Sequence, residues 1–322
     1  MKPFTALSSL LALLALPIAA HAADYPDKPI KLVVPFAPGG NIDTTARNVA
    51  TGLSEALGKP VIVENRAGAG GVIGSQYVAR AAPDGYTCLL GSTGVLATSK
   101  ALNPKLELDP VKDFVSAGPI SRVPFVLVVN NDLPVKTLGE FIAYAKSHPD
   151  KLTFGSDGTG TASHLSAELF ESMSGTKFVH VPYKGSSQAL TDLMGGQINL
   201  RFDQLSTSMP LVKTGKIRAL GVTTKARSSV APDLPTVAES GLPNFEASTS
   251  TGILCPAGTP AAVIEKLNGA LVKTLQGADV KKNLLSLGAD VSPGTPQDFE
   301  NTLTDELAKW TKVVKDANIK VD

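Results

Sequence analysis

The sequence predicts an α/β fold that is divided into two lobes. Two series of alternating strands and helices, at 30–92 and 152–223, place glycine- or serine-rich turns after their strands. Two extended β-branched runs, at 120–130 and 247–256, bracket the second series, so we expect the chain to cross between the lobes twice. With 43% of its 322 residues hydrophobic, the chain has enough apolar side chains for two cores. Each lobe is predicted to be a mostly parallel sheet flanked by helices, with these boundaries: lobe 1, 23–122 and 252–322; lobe 2, 123–251.

The first strand and helix predict an anion-binding turn. An apolar strand at 30–34 runs into a turn with two glycines, Gly39 and Gly40, and the helix that follows has apolar residues on one face from 42 to 57. Another strand, at 61–63, completes a parallel pair. Such a turn points bare backbone N–H groups at the mouth of the sheet, where the positive end of the helix dipole favours a carboxylate. The alternative is that the two glycines only permit a tight turn.

The other predicted strands also end in small residues. A second glycine-rich turn occupies 65–74, and a third strand, 86–90, ends at a Gly-Ser-Thr sequence. The second series repeats the pattern, with strands at 152–154, 178–181, 198–202 and 217–223, turns at 155–161 and 182–186, and helices at 162–173 and 187–194. Helical segments after 260 are expected to return to lobe 1. Because the carboxyl ends of parallel strands meet at one edge of a sheet, the turns should converge on a crevice that binds a ligand.

The N-terminus predicts export. Residues 1–22 contain Lys2, an apolar run from Leu7 to Ile18, and small residues at Ala20 and Ala22, which is typical of a signal peptide cleaved after Ala22. No later segment reaches the roughly 18 apolar residues of a spanning helix, so we expect a soluble mature chain in the periplasm. That chain carries as many acids as bases and no basic run, which argues against a nucleic-acid partner.

The cysteines and histidines predict no metal site and no cofactor. Cys88 and Cys255 are the only cysteines, too few and too far apart for a metal module. Two interpretations stay open for them: a disulfide, if the fold brings their Cα atoms within about 7 Å, or two separate buried thiols. After the signal peptide, His148, His164 and His180 lie on separate predicted elements without the spacing of metal ligands.

Two catalytic interpretations are disfavoured. The turn at 68–74 has the spacing GxGxxxG rather than the GxGxxG of dinucleotide folds, and no acidic residue follows at the usual distance. Ser156, His164 and Asp203 are the residue types of a hydrolase triad, but the sequence has no GxSxG nucleophile elbow. The chain is therefore predicted not to be an enzyme, with an exported α/β hydrolase acting on carboxylates as the alternative.

Short motifs follow one another along nearly the whole mature chain. They are PFAPGG at 35–40 followed by Asp43 and Arg47, NRAGAGG at 65–71, PDGYT at 83–87, GSDGTG at 155–160 followed by His164, VPYKG at 181–185, and PAGTP at 256–260. This ordered set resembles the solute receptors of tripartite tricarboxylate transporters, also called the Bug or TctC-like family. The resemblance implies a two-lobed periplasmic-binding-protein fold of type II, the Venus-flytrap fold. It also implies a monomer without catalytic activity or cofactor.

The same resemblance implies a ligand site between the lobes. The ligand would be an organic carboxylate, mono- or dicarboxylate, aliphatic or aromatic, and the partner would be the integral-membrane subunits of a secondary transporter. The alternative partner is a sensor protein, because the receptor with its ligand bound could be recognised by a sensor as well as by a transporter. The implied lobe 1 site residues are Phe36, Ala37, Gly39, Gly40, Asn41, Asp43, Gly68, Ala69, Gly70, Gly71 and Ser92. The implied lobe 2 site residues are Ser156, Thr159, Gly160, Thr161, His164, Tyr183 and Asp203. Asp157 and Thr161 depart from the usual pattern of the family.

Overall fold

The computed structural model describes residues 25–183 and 185–319, and the predicted signal peptide, residues 1–22, lies outside them. The strands are β1 (Ile30–Val34), β2 (Val61–Asn65), β3 (Thr87–Ser92), β4 (Phe114–Val129), β5 (Thr153–Ser156), β6 (Val179–Pro182), β7 (Leu200–Gln204), β8 (Arg218–Val222), β9 (Ser248–Pro256) and β10 (Asp290–Val291). The helices are α1 (Asn41–Leu57), α2 (Val72–Ala79), α3 (Thr93–Leu102), α4 (Leu138–Ser147), α5 (Ala162–Ser174), α6 (Ser186–Met194), α7 (Leu205–Lys213), α8 (Ala261–Gln276), α9 (Ala278–Ser286) and α10 (Pro296–Asp316). A short 3₁₀ helix, Ala69–Gly71, precedes α2.

Lobe 1 is built on a sheet in the order β2-β1-β3-β9-β4, with β10 paired to β4. β1 is buried along most of its length, as its continuous apolar sequence requires for a strand that is covered on both faces. α1 buries the apolar stripe Ala46, Val49 and Leu53 and ends at Gly58, whose φ of 67° is the left-handed conformation that glycine adopts readily. β1 pairs in parallel with β2 and with β3, as the sequence predicts.

Lobe 2 repeats this arrangement on a second sheet. β5 pairs in parallel with β6 and with β7, and β7 lies antiparallel to the second half of β4. β8 also pairs with this part of β4. The carboxyl ends of β5, β6 and β7 therefore lie at one edge of the second sheet, which matches the predicted placement of the turns that follow them.

Two long strands join the lobes. β4 pairs with β9 from Phe114 to Pro124, and from Phe125 onward it pairs with β7 and β8 of lobe 2. Because β4 leaves lobe 1 and β9 returns to it, the two strands run in opposite directions. Each sheet is consequently mixed: the predicted parallel pairs are joined by antiparallel pairs along β4 and β9. The boundaries 122/123 and 251/252 stay predictions.

The C-terminal helix contacts both lobes. In its first half, Phe299 and Leu303 pack in a buried cluster with residues of β1 and β3. In its second half, Trp310 and Val313 join the main core of lobe 2 together with Phe170. The sequence assigns all of 252–322 to lobe 1, whereas α10 contributes side chains to both cores.

A disulfide joins two neighbouring strands of lobe 1. Leu89 of β3 lies opposite Leu254 of β9, so the same register sets Cys88 opposite Cys255. The two cysteines are bonded, their Cα atoms are 4.3 Å apart, and both are buried. Of the two interpretations that the sequence left open, the structure contains the disulfide. The bond links β3, which precedes lobe 2 in the chain, to β9, which follows it.

Candidate ligand-binding cleft

The strand ends of the two lobes approach each other across a cleft. β1 of lobe 1 leads into α1, and β7 of lobe 2 leads into α7. At this point Asn41, the first residue of α1, donates a hydrogen bond from its Nδ2 to Oε1 of Gln204, the last residue of β7, over 3.0 Å. A side-chain contact therefore spans the gap between the lobes where the glycine-rich turns were predicted to converge.

The helices that begin at the cleft carry no side-chain caps. In the described residues this holds for α1 and α3 of lobe 1 and for α5, α6 and α7 of lobe 2. α8 and α9 also lack one, whereas Thr137 and Thr295 cap α4 and α10. The first N–H groups of an uncapped helix have no intrahelical partner, and the helix dipole places a partial positive charge there. Both walls of the cleft thus offer N–H groups to an anion.

Asp43 holds the first glycine turn in place. Its carboxylate is buried and accepts hydrogen bonds from the backbone N–H of Gly39 at 2.9 Å and from Nδ2 of Asn65 at 2.8 Å. Arg47 donates to both oxygens. The hydrogen bonds from Arg47 are the main reason that the pKa of Asp43 falls to about 2. The predicted site residue Asp43 is therefore ionised and fully engaged, so it positions the turn rather than facing a ligand.

The two glycines of this turn have different conformational requirements. Gly39 has φ 90°, in the left-handed region that other residues rarely adopt. Gly40 is the residue before α1 and has φ −80°, and a Cβ built on it would meet no atom within 4 Å. Gly39 thus requires glycine for the backbone itself, whereas the space beside Gly40 is open. Phe36 lies half-buried before the turn, and Ala37 is exposed.

The second turn of lobe 1 is tightly packed against the first. Gly68, Gly70 and Gly71 all have positive φ, and so does Ala69 with φ 45°. A Cβ on Gly71 would lie 3.4 Å from the ring of Phe36 and closer to Val95 of α3. This close packing fixes the two predicted turns against each other. Ser92 is buried at the end of β3, immediately before α3.

Arg201 is the buried cation of lobe 2. Its side chain has no exposed surface, and its Nη2 donates to Oδ1 of Asp157 and to Oδ1 of Asp203, each over 2.7 Å. The same nitrogen donates to Oγ of Ser186 at the start of α6. Two carboxylates and a hydroxyl therefore hold the guanidinium directly beneath the turns that follow β5 and β6. Pairing of this kind is what permits a charged group to be buried.

Asp203 has hydrogen-bond partners inside lobe 2, and its role as a ligand contact stays a prediction. It is buried, and its Oδ1 accepts from Arg201 and Ser186. Its Oδ2 accepts from the hydroxyl groups of Thr207 and Ser208 in α7. With both oxygens occupied inside lobe 2, Asp203 orients Arg201 and the start of α7.

His164 and Ser156 also have hydrogen-bond partners inside lobe 2, and their roles as ligand contacts stay predictions. Nδ1 of His164 accepts from the backbone N–H of Gly160, and its Nε2 lies 3.3 Å from Oε1 of Glu168. Oγ of Ser156 lies 2.6 Å from Nε2 of His180, whose ring stacks on that of His164 with centroids 4.1 Å apart. Burial lowers the pKa of His180 to about 4, so the ring is neutral near pH 7. The hypothetical triad does not form, since Ser156 pairs with His180 and Asp203 pairs with Arg201.

The remaining lobe 2 residues surround the mouth of the cleft. The hydroxyl of Tyr183 donates to Oδ2 of Asp192 at 2.7 Å, so it has no hydrogen left to donate to a ligand. Burial, followed by the hydrogen bond to Asp192, raises the pKa of this hydroxyl to about 12. Thr159 is exposed, whereas Thr161 donates to the carbonyl oxygen of Gly158 and closes the turn.

Sequence reasoning missed three residues of this region: Arg201, Gln204 and His180. Arg201 and Gln204 lie on β7, where only the apolar residues of the alternating pattern were used. The histidines were placed on separate elements, and the structure nevertheless stacks two of them. In the described ranges 25–183 and 185–319, no three His, Cys, Asp or Glu side chains are grouped as metal ligands would be.

A sequence model described as "Tripartite tricarboxylate transporter family receptor" matches residues 45–319. The chain belongs to this family. It is 37% identical to Protein BugT of Bordetella pertussis over 309 residues, which cover 96% of this chain and 94% of that protein. Among solved structures, Rpa4515 of R. palustris with adipate has 39% identity and a TM-score of 0.77, covering 92% of this chain and 99% of that chain. MatC from Rhodopseudomonas palustris with bound malate has 36% identity and a TM-score of 0.73, covering 90% of this chain and 100% of that one.

Membership of this receptor family confirms three predictions. The protein is a Bug or TctC-like periplasmic receptor, its fold is the two-lobed α/β fold of periplasmic binding proteins, and it is a solute-binding protein rather than an enzyme. Among the described residues, no helix has the length and apolar character needed to cross a bilayer.

Proposed function

We propose that this receptor captures an organic carboxylate between its two lobes and delivers it to the integral-membrane subunits of a tripartite tricarboxylate-type transporter. The observation that carries the proposal is the set of uncapped helix N-termini on both walls of the cleft. Each N-terminus is equivalent to about half a positive charge, so several of them favour an anion without a dedicated lysine or arginine.

The geometry of lobe 1 favours a carboxylate at its turns. Asp43, Asn65 and Arg47 form a network that holds the Gly39 turn from behind. The N–H groups at the start of α1 are left without a side-chain cap. A preorganised turn binds an anion more tightly than a flexible one, because little conformational entropy is lost on binding. The adipate and malate of the two Rhodopseudomonas palustris structures are organic acids, which supports this ligand class.

Capture is proposed to couple to closure of the lobes. Among the described residues β4 and β9 carry the chain between the lobes and α10 packs against both, and Asn41 and Gln204 lie close enough to touch across the cleft. A ligand shifts an equilibrium between open and closed forms only by its differential affinity for them. A carboxylate held by both walls gains contacts that only the closed form provides.

The binding step is tested by thermal denaturation of the protein without residues 1–22, in the presence of mono- and dicarboxylic acids of two to eight carbons and of benzoates. Each acid is paired with its neutral amide, such as pentanoate with pentanamide. At 100 times Kd a ligand stabilises the folded state by about 2.7 kcal/mol. We expect at least one acid to raise Tm and its amide not to. If no acid does so, or if the amides do so equally, the carboxylate proposal is wrong.

The delivery step needs a separate measurement. Uptake of the labelled acid is followed in membrane vesicles that hold the transporter subunits, with and without added receptor. We expect uptake only when the receptor is present. Binding without any receptor-dependent uptake would contradict delivery to a transporter and favour a sensor as the partner.

A further inference from the structure

Lobe 2 has a carboxylate of the protein, that of Asp157, at the turn between β5 and α5. Asp157 is the first residue after β5, and its Oδ1 accepts the hydrogen bond from Nη2 of the buried Arg201 over 2.7 Å. Its backbone N–H donates to Oγ of Ser163 in the first turn of α5, and that hydroxyl lies 3.3 Å from its Oδ2. The side chain of Asp157 thus contacts both Arg201, the buried cation of lobe 2, and Ser163 in the first turn of α5.

Within the described residues, the ion-pair cluster of Arg201, Asp157 and Asp203 carries one more negative than positive charge. Arg201 is paired with Asp203, whose side chain is buried, and with Asp157, whose side chain keeps 35% of its surface exposed. One guanidinium therefore faces two carboxylates, and the exposed one carries the excess negative charge. Nη1 of Arg201 has no hydrogen-bond partner in the described residues, but it is buried and cannot be reached without moving its neighbours.

Lobe 1 has the opposite character. The acid at its first turn, Asp43, is buried behind the turn and is neutralised by Arg47. The uncapped starts of α1 and α3 are therefore not occupied by a carboxylate of the protein. An elongated ligand with one anionic end is oriented by this difference, since its anionic end is attracted to lobe 1 and repelled by Asp157.

We infer that Asp157 selects monocarboxylates whose far end carries a hydrogen-bond donor, a hydroxyl or an ammonium group, and discriminates against a second carboxylate. The donor end contacts the Asp157 side chain, which is partly exposed, while the carboxylate binds the turns of lobe 1. This inference rests on the proposed function and narrows its ligand class. Two like charges at close range repel and salt screens part of the repulsion, so discrimination of about tenfold or more is expected.

The experiment compares matched acids on the wild-type protein. Three series are used, with four, five and six carbons: the α,ω-dicarboxylate, the ω-hydroxy acid, the ω-amino acid and the simple monocarboxylate of each length. Affinities are measured by isothermal titration calorimetry. We expect the hydroxy or amino acid of the best length to bind at least about tenfold more tightly than the dicarboxylate of that length. Tighter binding of the dicarboxylate, or equal binding of all four, overturns the inference and leaves carboxylate capture intact. Failure of every acid to bind overturns both.

Two variants test whether Asp157 causes the discrimination against dicarboxylates. Asp157→Asn keeps an oxygen that accepts from Arg201 and removes the charge, so the dicarboxylate should gain about tenfold and the ω-amino acid should lose about tenfold. Asp233→Asn removes the same charge from an exposed position between β8 and β9 and should change neither affinity. An unchanged ratio in a folded Asp157→Asn protein overturns the assignment to Asp157. If that variant does not fold, the wild-type ranking alone decides.

Discussion

Replacing the two neighbouring glycines of the first turn one at a time separates backbone strain from ligand contact. Gly39 has φ 90°, and an L-residue in the left-handed region costs about 1–2 kcal/mol. Alanine recovers about 0.5 kcal/mol by restricting the unfolded chain, so Gly39→Ala should destabilise the protein by about 1 kcal/mol. Gly40 has φ −80° and open space around its Cα. Gly40→Ala should therefore leave the free energy of unfolding within about 0.5 kcal/mol of the wild-type value.

The two variants should also differ in their affinity for the ligand. In Gly39→Ala the turn relaxes and loses its hydrogen bond to Asp43, so the acid identified by thermal denaturation should bind about tenfold more weakly, the equivalent of about 1.4 kcal/mol. In Gly40→Ala the new methyl group projects into the open space beside the start of α1, and affinity falls only if the ligand occupies that space. Urea denaturation and calorimetry measure both quantities. Equal stability of the two variants, or unchanged affinity in Gly39→Ala, would refute the reasoning about the turn.

Three further predictions concern the stability of the protein. Replacing Cys88 and Cys255 by alanine removes a cross-link with a sequence separation of 167 residues, which the chain-entropy model values at about 5 kcal/mol, and the urea midpoint should fall accordingly; an unchanged midpoint would show that the bond does not constrain the unfolded chain. Burial raises the pKa of Glu171 to about 7, so the free energy of unfolding should fall by up to about 3 kcal/mol as pH rises from 4.5 to 7. Glu171→Gln should flatten this part of the plot of unfolding free energy against pH, and equal slopes in the two proteins would exclude Glu171 as the cause. Because the pKa of Asp43 in the folded protein is lowered to about 2, its contribution to the free energy of unfolding is present above pH 4 and is lost as pH falls toward 2. This loss should be absent in Asp43→Asn when urea denaturation of both proteins is measured across this pH range.

The regular elements near the glycine turns could be predicted because local and tertiary signals agree there. β1, α1 and β2 follow directly from an apolar strand, a helix with one apolar face and a terminal glycine. α3 and α7 were not predicted, since Gly94 and Pro210 lie inside them and normally disfavour a helix. α3 packs extensively against α10, so tertiary packing outweighs the local preference there.

The sequence predicted where the turns lie better than it predicted the hydrogen bonds of their side chains. The glycine turns, Asn41 and the turn after β5 lie at the cleft. The polar side chains Asp203, His164 and Ser156 have hydrogen bonds inside lobe 2. Ser156 pairs with His180, 24 residues away, whereas His164 and Asp203 bond to residues four and five positions away. Arg201 alternates with apolar residues on β7, and such a residue is usually solvent-exposed. Here Asp157, which follows β5, and Ser186, the first residue of α6, form hydrogen bonds with Arg201. A single sequence contains no signal for that pairing.

A crystal structure of the protein with its tightest-binding acid tests the central claim most directly. The account predicts that the ligand lies between the lobes and that its carboxylate oxygens are about 2.7–3.2 Å from backbone N–H groups at the start of α1 or of the second turn. It also predicts that residues of lobe 2 contact the other end of the same molecule. A ligand bound to one lobe alone, or held outside the cleft that Asn41 and Gln204 span, would contradict capture between the lobes.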